Sequence, residues 1–99
     1  ISDNKIGGWY SYRAAKAAQN MITKSAAIEW QRRHKNAILV GLHPGTVSTD
    51  LSAPFRGSVA ADKLFTAEQS AEYLLRVMDA LQPEDSGYVF AWDGSRVEF

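Results

Sequence analysis

Ala37-Ile38-Leu39-Val40-Gly41-Leu42, broken off by His43-Pro44-Gly45, is the stretch whose reading decides the fold. It carries no polar side chain and is too short for a helix. That combination predicts a strand buried on both faces, as in a parallel sheet. Pro44 cannot donate to a ladder and Gly45 permits a sharp turn, so the strand ends there. Upstream, Tyr10 to Arg33 contains no Gly or Pro and is rich in alanine. Ala14, Ala18, Met21, Ile22, Ser25 and Ala26 recur at spacings of three and four, which predicts one helix of about six turns. Arg32, Arg33, His34 and Lys35 fall in its last turn, where they complement the negative end of the helix dipole. Residues 1–9 read as a loop, with turn chemistry at Asp3-Asn4 and Gly7-Gly8.

Downstream, residues 46–65 hold Pro54 and Gly57 and read as an irregular loop with room for a helical turn, a length common in lids and binding loops. Thr66-Ala67-Glu68-Gln69 fits a capping box. Ala71, Leu74, Leu75, Met78 and Leu81 mark one face of the helix that follows, and Pro83 stops it. Gly87–Trp92 is a second apolar, β-prone run, closed by Asp93-Gly94. The order helix, strand, loop, helix, strand predicts an α/β architecture with parallel strands. No repeat, low-complexity tract or second domain is visible. Two buried strands are too few for a stable parallel sheet, so further strands are expected upstream.

The chain has 99 residues, of which 45% are hydrophobic, a globular composition. Eleven basic and eleven acidic residues cancel, so nothing favours nucleic acid or an anionic membrane as partner. No cysteine is present, which removes disulfides and thiolate metal sites. No apolar run approaches the roughly 18 residues that span a bilayer. A cytoplasmic location is expected.

Two groups of residues are candidates for chemistry. Tyr12 and Lys16, four apart, share a helix face near the start of the long helix. A phenol titrates near 10, and a neighbouring ammonium stabilises its phenolate, so such a pair suits general acid/base work between a carbonyl and an alcohol. Taken alone, an amphipathic surface pair is the plainer reading. The second group is Pro44-Gly45-Thr46-Val47-Ser48-Thr49, directly after the buried strand, where open α/β sheets bind ligands. Its plainer reading is a strand-ending turn. His43 reads as structural, and Trp9, Trp30 and Trp92 as packing residues. Asp50, Glu68, Asp79, Glu84 and Asp85 form no metal-ligand spacing, so no metal is expected.

The order of these groups carries a resemblance. YSYRAAKAAQNM (10–21), LVGLHPGTVSTDL (39–51) and SGYVFAWDG (86–94) together resemble the C-terminal part of the short-chain dehydrogenase/reductase family. The wording is most similar to the branch with the C-factor signalling proteins and Sniffer-type carbonyl reductases. The resemblance implies the C-terminal portion of a Rossmann-like doubly wound parallel sheet. It implies an NAD(P)-dependent oxidoreductase acting on a small-molecule carbonyl or alcohol. Tyr12 matches the catalytic acid/base, and Lys16 the lysine that holds the nicotinamide ribose and supports the phenolate. Pro44, Gly45, Val47 and Thr49 match the segment that seats the nicotinamide of NADP (or NAD). Residues 50–65 match the variable substrate loop. The long helix matches one that pairs with its twin in homo-oligomers.

There are departures. The glycine-rich phosphate loop of the N-terminal dinucleotide-binding half is absent, and so is the residue that selects NAD or NADP. The catalytic serine and asparagine are expected before Ile1. Ala15 stands where many relatives have Ser. The 99 residues alone are expected to be inactive. Two alternatives stay open: a non-catalytic dinucleotide-binding signalling or sensor relative, and a small standalone interaction domain.

Overall fold

The computed structural model describes residues 1–47 and 64–99. Within them the chain forms α1 (Tyr10–Gln31), β1 (Gly41–His43), β2 (Thr46–Val47), β3 (Leu64–Phe65), α2 (Ala67–Ala80), a 3₁₀ turn (Pro83–Asp85), β4 (Val89–Ala91) and β5 (Arg96–Val97). β1 and β4 are parallel, with Gly41 opposite Val89, Leu42 opposite Phe90 and His43 opposite Ala91. β5 adds antiparallel to the other edge of β4. β2 and β3 make a separate parallel pair, Thr46 opposite Leu64 and Val47 opposite Phe65.

The expected α/β order with parallel strands is present, with three corrections of extent. The strand expected over 37–42 is paired as a regular ladder only over Gly41–His43. Pairing starts earlier, at Leu39, but by irregular means: its amide donates to Ser86 Oγ at 3.0 Å and its carbonyl accepts from the Gly87 amide at 2.7 Å. Gly87 has φ +90°, outside strand geometry. The basic run 32–35 lies beyond α1 rather than in its last turn, since the helix closes at Gln31 with Arg32 as its C-cap. The segment 46–65, read as irregular, has ordered ends, because β2 and β3 zip Thr46–Val47 to Leu64–Phe65.

α2 starts where the capping box put it. The Gln69 amide donates to Thr66 Oγ1 at 3.1 Å and the Thr66 amide to Gln69 Oε1 at 3.0 Å. It ends at Ala80; Gln82, the residue before Pro83, is extended, as proline imposes on its predecessor.

α1 meets the sheet at Gly87. A Cβ on that glycine would stand 3.1 Å from Lys24 Cδ and 3.4 Å from Ala27 Cβ, and Ala27 is buried. The helix comes this near because Ala27 offers only a methyl. The stem of Lys24 then carries its ammonium to 4.1 Å from the Tyr88 ring centre, and the Arg96 guanidinium lies 3.8 Å from the same ring.

Among the described residues only Ala27, Val77, Val89 and Phe90 are buried apolar side chains. Between α1 and α2, along β1, runs an open groove of about 600 Å³ whose lining includes Ile22, Ala26, Val40, Leu42, Met78 and Leu81. Ile22 is 68% and Met78 51% exposed. The Gly41 amide donates to Tyr88 O, so the parallel register turns the backbone groups of Leu42 to the open edge.

β5 was not anticipated. It follows from the Asp93-Gly94 turn: Asp93 Oδ1 accepts from Ser95 Oγ at 2.6 Å and from the Ser95 amide at 3.0 Å, and Gly94 has φ +85°. These bonds, the hydroxyl one foremost, hold the Asp93 carboxyl below its ordinary value of 3.8. A depressed folded value means that the turn is fully supported above the ordinary aspartate range and loosens as pH falls through the folded value. A carboxyl-carbon NMR titration is expected to place the Asp93 midpoint below 3.8. At Gly87, substitution by alanine meets both a left-handed φ and the α1 contact. In the full-length protein, Gly87→Ala is expected to lower stability by more than about 1 kcal/mol in urea unfolding.

Candidate active site

The direction of α1 sets where Tyr12 lies. Its C-terminal half, at Lys24 and Ala27, touches Gly87, at the amino end of β4. At 1.5 Å per residue, Tyr12 lies about 22 Å along the helix from Ala27. The strand path from Gly87 to Trp92 is about 16 Å. A helix that precedes a parallel strand in an α/β layer runs against it, which would bring the Tyr12 end of α1 toward the carboxyl end of the sheet, where Pro44 and Gly45 follow β1.

The entry into α1 is tightly wound. Gly7, Gly8 and Trp9 have φ of +76°, +73° and +50°. Trp9, the N-cap, is left-handed despite carrying a Cβ and makes no side-chain cap, a conformation that costs about 1–2 kcal/mol. Arg13 secures it: Nε donates to Gly8 O at 2.9 Å, Nη2 to Gly7 O at 3.3 Å, and its amide to Trp9 O at 2.9 Å. The Trp9 ring meets the Tyr12 ring edge-on at 6.1 Å and 87°.

Tyr12 and Lys16 share one side of α1. The Lys16 ammonium lies 5.7 Å from the Tyr12 ring centre, within cation–π range, and also makes a long contact of 3.5 Å to Gln19 Oε1. Tyr12 is 57% exposed and, with Trp9, Tyr10 and Ser11, lines a shallow hollow of about 440 Å³. Nothing acidic pairs with Lys16 in the hydrogen bonds or ion pairs of the described residues.

At the end of β1, the Gly45 amide donates to His43 Nδ1 at 3.0 Å. Nδ1 is therefore an acceptor, which puts the proton of a neutral ring on Nε2; His43 shapes the turn, as expected. Gly45 is left-handed, and a Cβ on it would sit 2.8 Å from Phe65 Cε2 and 3.1 Å from Trp92 Cδ1. Val47 pairs with Phe65 in the β2–β3 ladder. Thr49, the last of the expected cofactor-seating residues, and the expected substrate loop up to residue 63 lie outside the described residues. Among the described residues no group of three or more His, Cys, Asp or Glu is placed to hold a metal ion. No helix there is long and apolar enough to cross a membrane.

No protein-family model matches the chain. Over 97 residues, 98% of the chain, it is 38% identical to C-signal of Myxococcus xanthus, of which it spans 53%. Over its full length it is 37% identical to 1-hydroxy-2-glutathionyl-2-methyl-3-butene dehydrogenase of a Rhodococcus species, spanning 42% of that enzyme. Its whole fold superposes on the NADPH-bound carbonyl reductase from chicken fatty liver with a TM-score of 0.84 at 30% identity, covering 38% of that chain. The carbonyl reductase Sniffer of D. melanogaster gives 0.83 at 29% identity, with 36% covered. Over its whole length the chain resembles short-chain dehydrogenase/reductases. It spans about half the length, or less, of the curated relatives it matches. The α/β order here is a portion of the Rossmann-like sheet of these reductases, and the branch that the sequence resembled is the one found.

Sequence reasoning singled out Tyr12, Lys16, Pro44, Gly45 and Val47 but missed what surrounds them. Arg13 lay hidden between the two motif residues, and Phe65 immediately before a capping box that drew the reading to Thr66. Trp92, read as a packing residue, does pack, but against the Pro44–Gly45 turn. Arg13→Ala is expected to speed backbone amide exchange across residues 4–9 and leave residues 18–31 unchanged, as read by hydrogen–deuterium exchange.

Proposed function

We propose that these residues form the catalytic end of an NAD(P)-dependent oxidoreductase, which interconverts a carbonyl and an alcohol on a small molecule. The observation that carries this reading is the Tyr12–Lys16 pair, side by side on α1 and open to solvent. The dehydrogenase and reductase names of its relatives support it.

The residues present fit a nicotinamide dinucleotide by the chemistry of their donors. Lys16 offers an ammonium with one weak neutral neighbour, suited to ribose hydroxyls, and Tyr12 a phenol beside it. Pro44, Gly45 and Val47 would seat the nicotinamide, with Thr49 beyond them. NADP is favoured over NAD by the NADPH-bound relative. When bound, the dinucleotide supplies or takes up the hydride. The protein's own part is the proton: Tyr12 Oη donates it to the carbonyl oxygen in reduction and accepts it from the hydroxyl in oxidation. Lys16 stabilises the phenolate left after donation.

The proposal extends to the domain and its partners. The 99 residues belong to one domain whose dinucleotide-phosphate half is supplied by further chain. The groove along β1 and the open edge at Leu42 support this, being the surface that another parallel strand and its cover would take. Tyr10, Met21 and Ile28, exposed on one side of α1, support a helix-mediated homo-oligomer.

NADPH oxidation by the full-length protein over a panel of aldehydes, ketones and quinones tests the reading. Tyr12→Phe is expected to lower turnover at least about a hundredfold, the usual weight of a general acid, while NADPH still binds. Full activity in that variant would sink the mechanism. The similarity to C-signal favours a second reading, a dinucleotide-binding sensor, and NADPH binding without turnover of any panel member would select it. Residues 1–99 alone are expected to bind an apolar dye and to melt without a sharp transition. A cooperative melt with no dye binding would instead favour a standalone domain.

A further inference from the structure

The Pro44–Val47 turn is held by aromatic rings from three separate elements. Phe65 in β3, Tyr73 in α2 and Trp92 after β4 pack on one another. The Phe65–Trp92 centres are 4.6 Å apart at 68°, Phe65–Tyr73 5.2 Å at 76° and Tyr73–Trp92 5.4 Å at 41°. Edge-on and tilted pairs of this kind each contribute beyond simple burial. Gly45 lies directly against the cluster. No side chain fits there: the Cβ position is 2.8 Å from Phe65 Cε2, 3.1 Å from Trp92 Cδ1 and 3.2 Å from Phe65 Cδ2. Its φ of +73° is the second reason that only glycine suits the position.

Phe65 grips the turn twice. Its ring covers Gly45, and its backbone lies opposite Val47 in the β2–β3 ladder. A two-residue ladder is too short to be rigid by itself. The rings supply what the ladder lacks, and they connect the turn to α2 through Tyr73 and to the main sheet through Trp92. His43, bonded through Nδ1 to the Gly45 amide, fixes the turn from the strand side.

We infer that Phe65, with Tyr73 and Trp92 behind it, is a positioning residue for the nicotinamide end of the site. It holds the Pro44–Val47 backbone in the one arrangement that seats the ring, without touching the cofactor. The inference rests on the nicotinamide reading above and deepens it: the precision of hydride geometry depends on an aromatic cluster outside the Tyr12–Lys16 pair. Sites with a loose supporting shell lose binding and rate although every contacting residue is present.

The test uses the full-length protein with Phe65→Leu, which keeps an apolar side chain but loses the ring, and Phe65→Tyr, which keeps the ring. Two ligands are titrated by calorimetry: NADPH, and 2′,5′-ADP, which lacks the nicotinamide. NADH and ADP are the matching pair if the wild type prefers NAD. In Phe65→Leu the affinity for NADPH is expected to fall roughly tenfold, a loss of about 1.4 kcal/mol. The affinity for 2′,5′-ADP is expected to stay at the wild-type value, and Phe65→Tyr to restore NADPH binding. Equal weakening of both ligands marks general loosening and overturns the inference. Unchanged affinity for both overturns it as well, with the nicotinamide reading left standing. A wild-type protein that binds neither NADPH nor NADH overturns that reading and the inference with it.

Discussion

The parallel pairing of β1 with β4 is the constraint on which the rest depends. An antiparallel pair can be closed by a two-residue turn, whereas a parallel pair requires the chain to travel back the length of the sheet before it re-enters. Here α2 makes that return, capped by Thr66 and Gln69 and ended ahead of Pro83. The parallel sense brings both strands to finish at one end. The turn after β1 and the residue after β4 therefore become neighbours, and Gly45 comes to lie against Trp92. One pairing choice thus joins Gly45 and Trp92, which the sequence separates by more than forty positions. A helix that precedes a parallel strand and runs against it would carry Tyr12 and Lys16 toward that end too.

The two helices begin in opposite ways, and the difference follows their tasks. α2 has a complete capping box and an acidic residue, Glu68, in its first turn, which satisfies its leading amides and suits its dipole. α1 has no side-chain cap, no acidic residue in its first turn and a left-handed tryptophan as its N-cap. Its entry is held instead from within, by Arg13 reaching back to the carbonyls of Gly7 and Gly8. Local rules for stability are followed where the helix only supports the sheet. They are broken where the helix presents Tyr12, as expected of segments whose geometry serves a site.

Much of this was legible in the sequence because it rests on local signals. The uninterrupted alanine-rich run gave α1, the Thr66/Gln69 spacing gave the start of α2 to the residue, and the apolar runs on either side of α2 gave the parallel pair. The features that escaped are those in which distant residues act on one another. β5 exists because Ser95 closes a turn on Asp93 and so returns the chain against β4. The pairing of Thr46–Val47 with Leu64–Phe65 joins positions far apart in sequence through only two residues a side, too few to leave a pattern. The ladder of β1 is displaced toward His43 because Ser86 replaces a backbone partner at Leu39. At the candidate site, Tyr12, Lys16, Pro44, Gly45 and Val47 stood out by type and spacing. Arg13, Phe65 and Trp92 did not, since what they do is hold backbone.

Proton transfer from a phenol to a substrate oxygen gains from a water-poor setting with fixed charges. Tyr12 here is more than half exposed, and Lys16 is exposed beside it. The same chain leaves Ile22 and Met78 open along the β1 groove and turns the backbone of Leu42 to the side of β1 away from β4, where no described strand pairs with it. A parallel strand laid beside β1 would cover the groove between α1 and α2 and end at the carboxyl side of the sheet, where Pro44 and Gly45 lie. In the proposed reductase that is also the end at which Tyr12 would work, so the chain that completes the sheet would add cover to its acid/base site.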